Sequence, residues 1–190
     1  LVLNDHVYDG GLVGVRLSGA VDIRPVISQG CRLIGERFVV SKAERNLIHE
    51  LGGEPALGRL QTVFSSLSED DRRGANRAVH LGIVIDEHRN RFERGDFLIR
   101  NLLGADQTTG AVAVGEVVQE GQTVQFQLRD AVSASQEFNA LLAADHARHR
   151  HPPLGALMFS CCGRGQGLFG KPNHDAGTAS ARLGAIPLAG

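Results

Sequence analysis

The feature that most restricts what this chain can fold into is a pair of short apolar runs that meet at a tight turn. Residues 111–118 and 122–128 flank Glu120-Gly121, and in the second run Val124, Phe126 and Leu128 alternate with Thr123, Gln125 and Gln127. Successive side chains of a strand point to opposite faces, so this period of two predicts a strand with one buried and one wet face. Together the two runs read as an antiparallel hairpin. Runs of the same length recur at residues 80–86 and at 97–103, the latter after a Gly95-Asp96 turn. Residues 37–41 and 46–51 have the same extended character, and 11–18 and 21–28 read as two more strands joined at Gly19-Ala20.

Helical periodicity interrupts this pattern in a few places. Pro55 stands where the first turn of a helix accepts it, and Leu57, Leu60, Phe64 and Leu67 follow at spacings of three and four. Residues 68–77 form a charged surface segment. Asp130 caps a second helix with the stripe Ala134, Phe138, Leu141 and Leu142, which ends near Arg148 before Pro152-Pro153. Residues 154–160 are an apolar run expected to be a buried strand delivering a glycine-rich loop, and a last helix over about 175–183 stops at Gly184. The expected class is mixed α/β (α+β): a largely antiparallel sheet with a few packed helices.

Composition bounds the function. At 42% hydrophobic the 190 residues can bury a core, and with no Trp and one Tyr that core must come from Val, Leu, Ile and Phe. Twenty basic against 21 acidic residues give no electrostatic basis for binding nucleic acid or an anionic membrane. No apolar stretch approaches the roughly 20 residues that cross a bilayer. Three cysteines, Cys31 and the adjacent pair Cys161 and Cys162, make a poor disulfide framework and point to the cytosol. The first residue is Leu1 and the chain closes on an apolar run, so both ends read as cuts within a longer polypeptide.

The segment richest in chemistry is Ser160-Cys161-Cys162-Gly163-Arg164-Gly165-Gln166-Gly167-Leu168-Phe169-Gly170-Lys171. Gly165, Gly167 and Gly170 fit a dinucleotide fingerprint by spacing, but Pro172 interrupts the helix that should follow. The same proline replaces the hydroxyl residue a P-loop needs for Mg²⁺, which excludes that reading. Cys161 or Cys162 activated by a histidine such as His174 would make a nucleophile site. Against it stands the plainer reading of two small core residues at a strand end. His146, His149 and His151 are interleaved with Arg148 and Arg150, whose fixed charges oppose a cation, so a solvated helix end is expected and no metal.

Several ordered motifs resemble the FIST (F-box and intracellular signal transduction) domain. Residues 154–175, LGALMFSCCGRGQGLFGKPNHD, look like its closing motif, and 27–35, 95–101 and 126–130 agree. The opening residues 4–14 resemble the end of its N-terminal half. The resemblance implies that residues 1–26 end that half and that 27–190 form the C-terminal domain. It implies a cytoplasmic sensory module that is not an enzyme and needs no cofactor. Such a module binds a small ligand such as an amino acid and acts through a signalling partner protein or domain. Arg164 suits a ligand carboxylate by a paired hydrogen bond, with Ser160, Gly163, Gly165, Asn173 and His174 as further contacts. Gln29 and Arg100 are weaker candidates. The alternatives are a cysteine-dependent enzyme and a protein-recruiting adaptor.

Overall fold

The computed structural model describes all residues except Leu1, Asn4, Val13, Val15 and 76–78. In chain order its elements are β1 (Val2–Leu3), β2 (His6–Val7), β3 (Cys31–Glu44), β4 (Leu47–Leu51), β5 (Glu54–Pro55), α1 (Ala56–Ser66) and α2 (Glu69–Ala75). There follow β6 (Val79–Val84), β7 (Phe97–Ala105), β8 (Val112–Val114), β9 (Thr123–Arg129) and α3 (Ala131–Arg148). The last part holds β10 (Ala156–Leu157), a 3-10 turn (Cys162–Arg164), α4 (Gln166–Phe169), α5 (His174–Leu183) and β11 (Leu188–Ala189).

The main sheet runs β3-β9-β6-β7-β8-β4, with β5 appended to β4, and β3 also pairs with β4. That second pairing closes six antiparallel strands into a barrel, which confirms the α+β class. Strand β3 makes closure possible because its first part pairs with β9 and its last part with β4. A bend within the β9-paired part falls near Gly35, where the register to β9 shifts and φ is +61°. A Cβ there would stand 2.6 Å from a Val63 methyl, so the bend lets α1 pack directly on the barrel backbone. Ala56, Val63 and Leu67 of this region join Phe38, Val40, Ile48, Leu81, Val124 and Phe126 in one core. Phe38 meets Phe126 edge to face at 6.1 Å. Each of the larger side chains among them contributes about 1.5–3 kcal/mol by its burial.

The strands expected at 37–41, 46–51, 80–86 and 97–103 are present within β3, β4, β6 and β7. Asp130 caps α3, accepting the Ser133 N–H at 2.7 Å. Gly184 ends α5 at φ +84°. Four other expectations are corrected. β8 and β9 do not form a hairpin, because the turn between them bonds elsewhere. Val118 N–H donates to the Arg45 carbonyl and Gly121 N–H to that of Val40, each at 2.8 Å, which carries the chain across the barrel end to its new neighbour β3. Nor does β9 have a wet face. It lies between β3 and β6, and Gln125 and Gln127 are buried with the apolar residues, the Gln125 amide donating to the Gly35 carbonyl at 2.8 Å.

Among the described residues, the two amino-terminal strands are also not formed. Val13 and Val15 of the span 11–18 lie outside the described residues, and 21–28 has no strand assignment or strand partner among the described residues. Residues 154–160 are the fourth correction. Only Ala156–Leu157 is strand, paired in parallel with β11 alone, while Leu154 is 97% and Phe159 91% exposed. Barrel closure leaves that run no place in the main sheet, so apolar composition did not bring burial with it. Asn76 and Arg77 of the charged segment 68–77 are outside the described residues, and the rest is mostly α2.

Candidate functional site

Helices α3 and α5 pack together outside the barrel, and the glycine-rich loop leads into α5. Arg164 closes the 3-10 turn and turns inward, buried among otherwise exposed loop residues. Its fork meets Asp175 in the first turn of α5. Nε donates to Oδ2 at 2.7 Å and Nη2 to Oδ1 at 3.0 Å. The guanidinium stands 5.5 Å from the Phe169 ring centre and 5.8 Å from that of Phe138. A bidentate pair held against aromatic rings is the arrangement arginine makes and lysine cannot.

The network continues on both sides. Oδ1 of Asp175 also contacts His174 Nδ1 at 3.0 Å, while His174 Nε2 lies 3.2 Å from Ser135 Oγ on α3. The imidazole stacks on Phe169 at 3.7 Å. On the far side Arg164 Nη1 reaches Ser28 Oγ at 3.4 Å. Ser28 donates in turn to Glu137 Oε2 at 2.7 Å, which also accepts the Gly30 N–H at 2.5 Å. Gly30 has φ +69°, and a Cβ there would stand 2.6 Å from Nη1 and 2.8 Å from the Ala134 Cβ. Only glycine lets the strand start pass so near the guanidinium.

Two competing effects set the charge of Asp175. Burial pushes its carboxyl up, but hydrogen bonds from Arg164 and His174, with the Arg164 charge, outweigh it and hold it below the ordinary carboxylate range. Burial raises the Cys31 thiol, against the opposing pull of Arg129.

Of the residues expected at a ligand site, Ser160, Gly163, Gly165 and Asn173 are exposed, His174 is half-buried and Arg164 is buried. Arg164 and His174 come together through Asp175. Cys161 and Cys162 are exposed and not core residues, because the strand expected to bury them is not formed. Gln29 serves the fold: its amide donates to the Phe97 carbonyl at 2.7 Å and accepts the Ile99 N–H at 3.0 Å. Arg100 pairs with Glu116 at 3.0 Å on the surface. Asp175, Glu137, Ser28 and Ser135 were missed. Asp175 carried one usable signal, an acidic residue in the first turn of a helix 11 positions from a loop arginine. Glu137 and Ser28 lie more than a hundred residues apart, and sequence offers nothing to join them.

The closed antiparallel barrel thus carries two packed helices that hold the glycine loop, and the comparisons agree on the family of this fold. The FIST C domain model matches residues 56–190 and the FIST N domain model matches residues 1–54. The chain belongs to the FIST family, whose domains are signal-transduction sensory domains. It is similar to an uncharacterized protein of Mycobacterium tuberculosis, 49% identical over 184 residues, which cover 97% of this chain and 48% of the relative. An uncharacterized protein of Mycobacterium bovis is 47% identical over 190 residues, all of this chain and 49% of the relative. The chain thus spans about half the length of the curated relatives it matches. No solved structure matches it. Among the described residues, no helix is long and apolar enough to cross a membrane. The barrel itself draws on both family matches, since β3 and β4 fall in the N-domain match and the other four strands in the C-domain match.

Proposed function

We propose that this protein is a cytoplasmic sensory module of signal transduction, not an enzyme, and that its glycine loop takes a small carboxylate-bearing ligand such as an amino acid. The observation that supports the site is the uneven use of Arg164. Asp175 fixes Nε and Nη2, whereas among the described residues Nη1 has only the long 3.4 Å hydrogen bond to Ser28. A ligand carboxylate takes Nη1 in place of Ser28. The Gly163 and Gly165 N–H groups and the Ser160, Asn173 and His174 side chains complete its contacts. A signalling protein or domain reads the bound state, and neither nucleic acid nor a membrane takes part. Against a cysteine-dependent reaction, the ring nitrogens of His174 face Asp175 and Ser135. A recruiting adaptor is the second reading, supported by apolar side chains in solvent, Leu154 and Phe159 foremost.

The test is calorimetric titration of the full-length protein with a panel of amino acids and related carboxylates. Hydrogen bonds to charged groups contribute about 1.5–3 kcal/mol, so Arg164→Lys should weaken binding about tenfold or more. Asn173→Gly keeps the left-handed backbone at φ +55° while removing the amide, so it should weaken binding with an unchanged melting temperature. Absence of binding across the panel, or wild-type affinity in both variants, would overturn the assignment.

A further inference from the structure

Residues 23–28 carry the burial period of a strand without being paired as one. Burial alternates along them: Arg24, Val26 and Ser28 are half-buried, whereas Ile23, Pro25 and Ile27 are exposed. The inner side lies along α3, with Ser28 on Glu137 near the helix start and Arg24 within 3.6 Å of Asp145 near its end. The outer side presents Ile23 and Ile27 to solvent, 68% and 74% exposed, and no strand pairs with it among the described residues. Arg24 Nη1 also reaches the His151 carbonyl at 3.4 Å, which brings this segment beside the run that begins at Pro152.

That run repeats the problem. β10 and β11 form a parallel pair of two residues each, while Leu157 and Phe159 stand mostly in solvent. Parallel sheets are found with both faces covered, and an isolated two-stranded ribbon is marginal even with longer strands. Exposed apolar residues on strand edges without neighbours mark an interface.

We infer that residues 23–28 and the β10–β11 pair belong to a second sheet, completed by the part of the FIST N domain that lies outside this chain in the same polypeptide. Three observations select this occupant over an outside partner. The N-domain match ends inside the barrel, so N-domain and C-domain segments already share hydrogen bonds between β3 and β9. The relatives are about twice as long as this chain, enough for several more strands. The segment 23–28, unpaired among the described residues, itself lies in the N-domain match, so its neighbours in that domain are its nearest candidates in sequence.

Hydrogen–deuterium exchange of the full-length protein, with the monomer verified by light scattering, tests this. The amides of residues 23, 24 and 26–28 and of 157–159 should exchange at least a hundredfold more slowly than their intrinsic rates. Ile27→Asp and Phe159→Asp should each restore fast exchange in both segments and lower the melting temperature by several degrees. Exchange at intrinsic rates in the wild type overturns the inference. So does protection lost on dilution, which assigns the surface to a second copy, and so does protection that both aspartate variants leave intact.

Discussion

Arg164 and Asp175 meet through two parallel hydrogen bonds of 2.7 and 3.0 Å, one partner on the glycine loop and the other in the first turn of α5. The pair is buried, so the loop and the helix cannot separate without stranding two charges. The Asp175 carboxylate also stands at the helix N-terminus, where the backbone dipole favours a negative charge. Rigidity of the loop therefore comes from the ion pair and not from the glycines.

Asp175→Asn should cost about 3 kcal/mol in urea denaturation at pH 7, because removing one partner leaves Arg164 buried and unpaired. The folded pKa of Asp175 is depressed. Its stabilisation is therefore present above the unfolded carboxyl value, near 3.8, and lost as pH falls through the folded value. The stability gap between wild type and Asp175→Asn should stay level above about pH 5 and shrink below about pH 4.

Gly30→Ala should destabilise the fold by about 2 kcal/mol or more. A Cβ meets Arg164 Nη1 at 2.6 Å on a backbone at φ +69°, and the Ala134 Cβ bars retreat. Gly167→Ala is the control. A Cβ there meets nothing within 4 Å, so the midpoint should hold or rise slightly. Thermal melts of the two variants side by side give the comparison.

Gln29→Ala should cost about 1–3 kcal/mol. Its amide stands in for a peptide on the edge of β7 at Phe97 and Ile99, where β8 does not reach, and loss of it leaves those backbone groups unsatisfied. Gln29→Glu removes the donor and sets a carboxylate against the Phe97 carbonyl, so it should rescue nothing. Equilibrium unfolding of both variants checks this.

Thiol titration with an aromatic disulfide reagent should separate the cysteines. Cys161 and Cys162 are exposed and should react quickly in the folded protein, whereas Cys31 is buried with its thiol pKa raised and should react only on unfolding. Serine at 161 and 162 together should change stability by less than about 0.5 kcal/mol. Rapid loss of three thiols from the folded chain would contradict the placement of Cys31.

The sequence by itself determined the parts whose signals are local. The period of two in 123–128, the Asp130 cap, the Pro55 start of α1 and the Gly184 stop of α5 each rest on side chains within a few residues of the feature, and each is present. The glycine loop was legible too, as was Arg164 as its one fixed charge. Tertiary structure decided what those parts touch. Alternation in β9 could not reveal that its polar face would be covered, because that depends on β3 and β6, whose partner residues lie about 90 and about 45 positions upstream. The apolar run at 154–160 looked buried because composition records hydrophobicity and not the presence of a neighbour. Asp175, not a ligand, holds the Arg164 fork, since burying a guanidinium requires a charge partner and only the fold brings the two within reach.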